Sequence, residues 1–208
     1  MTLHAVTFGD LKTSDAVAVF LHGYGSNERD LVGLRGALPE GLPWASLRAP
    51  LDLAPGSYSW FEIVERGNPS LETLAPAIAA LWAWIDETLA PGARVVPIGF
   101  SQGGLMASEL LRSDAARVLA PVLLGGFVAA GIRPEDERLA AERPAVFSGR
   151  GAEDTVLLPA TKERTDAWLP AHSTLTAPVY PGLGHGINAA ELADVRAFLA
   201  EQLAEVTA

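Results

Sequence analysis

A serine set between glycines is the first candidate for chemistry in this sequence. Ser101 lies in GFSQGG (99–104), after an apolar run and directly before a helix-like pattern. Gly-x-Ser-x-Gly between a strand and a helix is typical of a nucleophile elbow, whose glycines allow a tight turn that exposes the hydroxyl. The alternative is a glycine-rich turn with an incidental serine. We favour the nucleophile, with the backbone N–H of Gln102 aimed at the reacting centre.

A serine hydroxyl is a weak nucleophile, so it needs a base within about 3 Å and a carboxylate that orients the base. A nucleophile elbow predicts the chain order serine, acid, histidine. His185 follows Ser101 in a glycine-flanked loop, PGLGHGIN, ahead of the last helical pattern. His22 precedes the serine, and His4 and His172 have no supporting context. We therefore predict His185 as the base.

Two carboxylates compete for the role of the acid. Asp154 and Glu153 both lie in SGRGAEDTVLLP, directly after an apolar run. We favour Asp154, because residues 155–159 would anchor it against the next helix while Glu153 points to solvent. Asp136 and Asp166 lie in charged helical stretches and are weaker candidates.

The oxyanion of a tetrahedral intermediate needs at least two hydrogen-bond donors. One is the N–H of Gln102, and the second is expected in the loop after an early strand. FLHGYGSN (20–27) fits this position, and the N–H of Tyr24 is our candidate, with Gly23 and Gly25 allowing the loop geometry. We expect His22 to shape this loop and to transfer no proton.

Apolar runs alternate with helical patterns along the chain, which predicts an α/β fold with a mostly parallel sheet and helices on both faces. In such sheets ligands bind beyond the carboxyl ends of the strands, where Ser101 falls. The predicted strands are 3–8 (an edge strand), 16–21, 44–50, 94–100, 118–126, 145–149 and 173–180. Pro97 lies inside one of them, and we expect a bulge or a missing hydrogen bond there.

Two helices carry clear apolar stripes. Spacings of three and four predict a helix over 71–89 that buries Leu71, Leu74, Ile78, Leu81, Trp82, Ile85 and Leu89. Trp84 is assigned to helix packing. In the last helix, Asn188 and Glu191 give a capping-box-like start, and the predicted buried face consists of Leu192, Val195, Phe198, Leu199 and Leu203.

The composition indicates a globular chain and excludes several chemistries. Hydrophobic residues make up 49 % and charged residues 19 % of the 208 residues. A formal net charge of −10, with scattered Lys and Arg, argues against a nucleic-acid partner. The chain has no cysteine, which excludes disulfides and thiolate metal sites. Its histidines are isolated, so we predict no metal site and no cofactor.

The beginning of the sequence lacks a basic cluster followed by an apolar segment, so we predict no signal peptide. No uninterrupted apolar run approaches the roughly 20 residues of a membrane span. We expect a cytoplasmic protein without stable membrane insertion, and one domain over residues 1–208.

Five motifs together resemble the phospholipase/carboxylesterase family of α/β-hydrolases, which includes acyl-protein thioesterases and small bacterial carboxylesterases. They cover nearly the whole chain, in the family's order: LHGYGSNERDL, RAPLDLAPGSYSWFE, GFSQGG, GAEDTVLLP and GLGHGI. The resemblance implies Ser101, Asp154 and His185 as a catalytic triad and the N–H groups of Tyr24 and Gln102 as the oxyanion hole.

The resemblance also implies that Trp60, in the 51–62 loop, borders the substrate cleft, and Gly23 is a further predicted substrate contact. The segment 104–145 is short, so we expect no large lid, and an open cleft would favour short or medium acyl groups. The expected activity is hydrolysis of carboxylic esters through an acyl-enzyme. The alternatives are an acyl-protein thioesterase or lysophospholipase, and a non-catalytic binding protein on a hydrolase scaffold. A homodimer is possible, because some relatives are dimers.

Overall fold

Strands and helices alternate along most of the chain. The computed structural model describes residues 3–204; residues 1, 2 and 205–208 of the predicted domain lie outside this part. The strands are β1 (Ala5–Phe8), β2 (Ala16–Leu21), β3 (Trp44–Leu47), β4 (Leu51–Ala54), β5 (Ser57–Ser59), β6 (Arg94–Phe100), β7 (Val122–Leu124), β8 (Ala145–Gly151), β9 (Thr174–Thr176) and β10 (Val179–Tyr180). The α-helices are α1 (Leu71–Thr88), α2 (Gln102–Ser113), α3 (Asp136–Glu142), α4 (Pro159–His172) and α5 (Ala189–Gln202). Short 3₁₀ helices occupy Asp30–Ala37 and Ala115–Arg117.

Eight of the described strands form one sheet in the order β1-β3-β2-β6-β7-β8-β10, with β9 also paired to β8. The pairs are parallel except for the edge strand β1, which runs antiparallel to β3. The strands β4 and β5 form a separate hairpin. Because the central strands are parallel, their carboxyl ends meet at one edge of the sheet. The predicted fold class is confirmed.

Helices cover both faces of this sheet. All six residues of β2 are buried, and they alternate between two apolar clusters. Val17, Val19 and Leu21 pack with α1, α2 and α4, while Ala16, Ala18 and Phe20 pack with α5 and the first 3₁₀ helix. A strand buried on both faces loses the polar alternation of a half-exposed strand, which explains the continuous apolar run AVAVFL.

The buried stripe of α1 differs in part from the prediction. It consists of Leu74, Ala77, Leu81, Trp84 and Ile85, whereas Leu71 is 46 % exposed. Trp84 is 4 % exposed and belongs to the core, whereas Trp82 and Ile78 are only half-buried. The Trp82 indole N–H donates to Ser113 Oγ at 2.9 Å, and the Arg117 guanidinium lies over its ring.

Pro97 causes no bulge between β2 and β6, where it pairs in register with Val19. Val95 in β6 and Ser101 directly after β6 make backbone hydrogen bonds on the β7 side, so the nitrogen of Pro97, an alternate position between them, also faces that side. The ladder between β6 and β7 is interrupted there, because the chain before β7 turns through Ala120 in a left-handed conformation (φ 39°). Pro97, which has no N–H, therefore lies at a point where β6 and β7 are not paired.

The start of α5 confirms one half of the predicted capping box. Asn188 Oδ1 accepts from the N–H of Glu191 at 2.9 Å. The Glu191 side chain makes no reciprocal bond. It is fully buried against Gly149, whose missing side chain leaves the space, and neither carboxyl oxygen has a hydrogen-bond partner among the described residues. Burial raises the pKa of Glu191 to about 7.

This buried carboxyl should make the stability of the protein depend on pH. The unfolded chain releases the proton near the ordinary pKa of 4.5, whereas the folded protein holds it to about 7. The folded state binds more protons between these values, so the free energy of unfolding falls as the pH rises from about 4.5 to about 7. We expect Glu191→Gln to remove this loss of stability, which thermal melting measured between about pH 4.5 and about pH 7 would show. Glu201→Gln, an exposed position on the same helix, is the control, and an unchanged pH dependence in Glu191→Gln would contradict the assignment.

Two further features bear on access to the sheet edge. Between α2 and β8 the chain forms only a 3₁₀ turn, β7 and the seven-residue α3, so no lid domain is inserted there. Among residues 3–204, no helix combines the length and the apolar character that crossing a bilayer requires.

Candidate active site

Ser101 occupies a strained turn between β6 and α2, at the carboxyl edge of the sheet. Its φ of 55° and ψ of −113° are unusual for a residue with a side chain. A Cβ at Gly99 would overlap the carbonyl oxygen of Gly103, and a Cβ at Gly103 would overlap that of Leu21. The two glycines of the motif are therefore required by the close approach of backbone segments on either side of Ser101.

The structure brings Ser101, His185 and Asp154 together, although they lie far apart in the sequence. His185 Nε2 lies 2.8 Å from Ser101 Oγ, and His185 Nδ1 lies 2.7 Å from Asp154 Oδ2. An ionised carboxylate only accepts hydrogen bonds, so Nδ1 carries the proton of the neutral imidazole. Nε2 is then free to accept the proton of the serine hydroxyl.

The loop between β10 and α5 carries His185 over the ends of the strands. The ring packs against Phe100, with 5.0 Å between the ring centroids. Gly125 (φ 52°) lies beside it, and a Cβ there would come within 3.3 Å of His185 Cε1. A glycine in the left-handed region thus leaves space for the imidazole.

Asp154 is held by the loop that follows β8. Its Oδ1 accepts from the N–H groups of Val156 (2.8 Å) and Leu157 (3.0 Å), and the residue is 3 % exposed. Burial alone would raise the pKa of Asp154, but the hydrogen bonds from His185 and from these two amides lower it below its ordinary value. Asp154 is therefore ionised at neutral pH.

The rival carboxylates lie elsewhere. Glu153 is exposed, as expected. Asp136 binds Arg112, and Asp166 binds Arg150. The two bonds to backbone amides distinguish Asp154 from its neighbour, and they come from the segment that was expected to anchor it.

The other histidines lie away from the serine hydroxyl. His4 is exposed, and His172 stacks on Trp168. His22 is 1 % exposed; its Nδ1 lies 2.7 Å from the carbonyl of Gly23, and its Nε2 accepts from the N–H of Ala49 at 3.1 Å. It contacts the loop before Tyr24, as expected.

The two predicted oxyanion donors are the backbone N–H groups of Tyr24 and Gln102. Both residues line the same cavity as Ser101, and Gln102 is the first residue of α2, where a backbone N–H has no partner within the helix. Among the described residues no hydrogen bond engages the N–H of Tyr24. Gly25 (φ 79°) donates its N–H to Tyr58 at 2.8 Å and turns the chain after Tyr24. Both amides are therefore available to an incoming oxygen.

A cavity of about 270 Å³ opens at Ser101. Its walls are largely apolar and come from the segments 61–69 and 156–161, together with Tyr24 and Phe127. Arg66 joins the two segments, because its guanidinium donates to the carbonyl of Val156 at 3.1 Å. Ligand pockets usually measure roughly 300–1,000 Å³, so this cavity is small.

Trp60, which was predicted to border the substrate cleft, is 1 % exposed and is not among the residues that line the cavity at Ser101. Its indole N–H donates to the carbonyl of His22 at 2.8 Å. Phe61, the next residue, forms the cavity wall instead. Gly23 is also buried and is absent from that wall; a Cβ there would come within 3.1 Å of the Phe100 ring.

Sequence reasoning missed the side chain of Gln102, which is 4 % exposed. Its Oε1 accepts from the N–H of Trp60 at 2.9 Å, and its Nε2 donates to the carbonyl of Phe61 at 3.0 Å. The motif GFSQGG pointed to the backbone of this residue, but nothing in it indicated which segment would cover the side chain. No group of His, Cys, Asp and Glu side chains in the described part of the chain is arranged to hold a metal ion.

The mostly parallel sheet and the strained strand-to-helix turn that carries Ser101 are those of an α/β-hydrolase. A sequence model of the phospholipase/carboxylesterase family matches residues 3–203, and the chain belongs to this family. The predicted resemblance is confirmed over nearly the whole chain.

Individual relatives agree with this assignment. A probable carboxylesterase SOBER1-like protein of Arabidopsis thaliana is 29 % identical over 227 residues, which cover 93 % of this chain and 82 % of the plant protein. The structure of esterase PE8 is similar with a TM-score of 0.78 and 26 % identity, covering 98 % of this chain and 100 % of the other. The carboxylesterase of Bacillus cereus shares the fold, with a TM-score of 0.80, 23 % identity and coverage of 96 % and 94 %.

Proposed function

We propose that this protein is a serine carboxylesterase that hydrolyses short- to medium-chain carboxylic esters through an acyl-enzyme. The observation that carries the proposal is the continuous hydrogen-bonded series Ser101 Oγ, His185 and Asp154, which opens into a small apolar cavity. Apolar walls suit an acyl chain, and the buried carboxylate suits a base that becomes positively charged during the reaction.

In the first half of the reaction, Ser101 Oγ attacks the ester carbonyl carbon while His185 Nε2 takes the hydroxyl proton. A bond forms between Oγ and carbon, and the carbonyl oxygen becomes an oxyanion that the N–H groups of Tyr24 and Gln102 stabilise. Asp154 stabilises the imidazolium. His185 then returns the proton to the alcohol oxygen as the ester bond breaks.

In the second half, water replaces the alcohol. His185 removes a proton from the water as its oxygen attacks the acyl carbon of the ester formed on Ser101. The second tetrahedral intermediate uses the same two amides, and its collapse releases the carboxylic acid and returns the proton to Ser101 Oγ.

The size of the cavity sets the expected acyl length, and a variant can test it. We expect kcat/KM for 4-nitrophenyl esters to peak at short or medium acyl chains. Leu158 lies on the cavity wall, so Leu158→Trp should lower hydrolysis of the longer esters by about tenfold or more, as expected for a few lost apolar contacts, while acetate hydrolysis changes little.

Ile132→Trp is the matched control, because Ile132 is 89 % exposed and lies outside this wall. A wild-type preference for long acyl chains or for thioesters would contradict the proposed range and favour a lysophospholipase or an acyl-protein thioesterase. Labelling with a fluorophosphonate probe tests the covalent step, since a binding protein without catalytic activity would give no adduct on Ser101.

A further inference from the structure

A set of buried hydrogen bonds joins the residues that supply the two proposed oxyanion donors. Tyr24 and Gln102 are far apart in the sequence, yet both amides must point at one oxygen atom. The residues between them in space belong to the segment Ser59–Phe61, which we call the strap. The role inferred for the strap and its partners rests on the proposed function.

The strap is fixed to the nucleophile turn through the side chain of Gln102. The N–H of Trp60 can only donate and the carbonyl of Phe61 can only accept, so these two bonds define the orientation of the Gln102 amide. Ser59 Oγ accepts from Gln102 Nε2 at 3.0 Å and donates to the carbonyl of Phe61 at 2.6 Å. Every polar group of this side chain therefore has a partner in the strap.

The strap in turn holds the loop that carries Tyr24. The indole N–H of Trp60 donates to the carbonyl of His22 at 2.8 Å, and the two rings lie 5.5 Å apart. The backbone of His22 also lies directly against Gly103 of the nucleophile turn, where an added Cβ would come within 2.7 Å of the His22 carbonyl. The loop and the turn therefore touch without an intervening side chain.

The ring of His22 fixes the peptide that contains the Tyr24 amide. The carbonyl of Gly23 accepts from His22 Nδ1, so Nδ1 carries the proton, and Nε2 accepts from the N–H of Ala49. Burial lowers the pKa of His22, which keeps this neutral form. In a planar trans peptide the carbonyl and the following N–H point in opposite directions. With the carbonyl of Gly23 held on the side of His22, the N–H of Tyr24 points to the opposite side.

We infer that His22 is a positioning residue that aims the Tyr24 amide at the oxyanion. Trp60 and the Gln102 side chain keep this peptide in a fixed position relative to the second donor, the backbone N–H of Gln102. All three residues are buried, with His22 and Trp60 1 % exposed and Gln102 4 % exposed. They act by keeping the two backbone amides oriented before the reaction. Their loss should therefore weaken stabilisation of the transition state, with little effect on binding of the substrate in the ground state.

The test compares His22→Ala and His22→Asn in hydrolysis of 4-nitrophenyl butyrate. Loss of a whole oxyanion donor costs about 10²–10³ in kcat, so a misaligned donor should cost about 10–10². We expect His22→Ala to show this loss with KM within about twofold of wild type. Asparagine carries an N–H donor at the position of Nδ1, and we expect it to recover most of the loss.

His172→Ala is the matched control, since His172 Nδ1 also lies 2.8 Å from a carbonyl, that of Trp168, away from the site. We expect this control to retain the wild-type kcat. A wild-type kcat in His22→Ala, or equal losses of kcat and melting temperature in both alanine variants, would overturn the inference.

A second pair of variants does not disturb the histidine. Trp60→Phe removes the indole N–H and keeps an apolar ring; we expect a loss of kcat of several-fold, about the size expected for a loosened donor. Trp82→Phe removes the N–H bonded to Ser113, at the opposite end of α2 from Gln102, and should leave kcat unchanged. If Ser101→Ala leaves hydrolysis unaltered, both the proposed function and this inference fail. If hydrolysis depends on Ser101 but His22→Ala and Trp60→Phe keep the wild-type rate, only the inference is refuted.

Discussion

Hydrolysis of 4-nitrophenyl acetate and butyrate by the Ser101→Ala protein should fall by about 10⁴–10⁶ in kcat. The substitution removes the atom that forms the bond to the acyl carbon and leaves the two proposed oxyanion donors in place, so only a weak residual activity is expected. Alanine keeps the Cβ of serine, so the strain of the turn (φ 55°) is the same in both proteins. A large loss of activity without a loss of stability is the expected signature.

Ser70→Ala provides the matched control for this experiment. Ser70 caps α1 by accepting from the N–H of Thr73 at 3.2 Å, and loss of such a cap costs about 1 kcal/mol of stability. We expect this variant to melt earlier and to keep its kcat. Equal rates for wild type and Ser101→Ala would end the proposal of a serine hydrolase.

Asp154→Asn should lower kcat by about 10⁴. The N–H groups of Val156 and Leu157 require an acceptor at Oδ1, so an asparagine at this position turns its amide nitrogen toward His185 Nδ1. That nitrogen donates, and Nδ1 must then accept. The imidazole proton moves to Nε2, which can no longer accept the proton of Ser101.

Glu153→Gln is the control for this substitution, because Glu153 is the adjacent carboxylate and is exposed. We expect wild-type turnover from it, measured by initial rates at pH 7, with both variants checked for folding by circular dichroism. Near-normal turnover in Asp154→Asn, together with a loss in Glu153→Gln, would transfer the role of the acid to Glu153.

The residues that lie at the ends of strands could be predicted from the sequence. Ser101, Asp154 and His185 each follow an apolar run and precede a helical pattern, and a parallel sheet brings such positions to one edge. Chain order then separated His185 from His22. These inferences needed only local patterns, the chain order serine, acid, histidine, and the rule that the carboxyl ends of parallel strands meet at one edge of the sheet.

Positions that depend on how a loop packs could not be predicted in this way. Trp60 lies in an irregular segment whose route over α2 is set by its bonds to Gln102 and His22. Glu191 fits a capping box by spacing, but the space left by Gly149, over 40 positions away in the sequence, draws its side chain into the interior. In both cases the deciding contact is distant in the sequence and leaves no local pattern.

The Arg66–Val156 bridge has a consequence for how new substrate preferences can arise. It joins two surface segments that form the walls of the cavity, and neither segment supplies Ser101, His185 or Asp154. Side-chain substitutions at 63–66 and 156–158 that keep the two backbone N–H groups bound to Asp154 can therefore alter acyl preference while the reacting atoms stay in place. The same fold can acquire new substrates by exchanging short surface stretches, and a mutant library confined to them would sample new specificities with little risk to the chemistry.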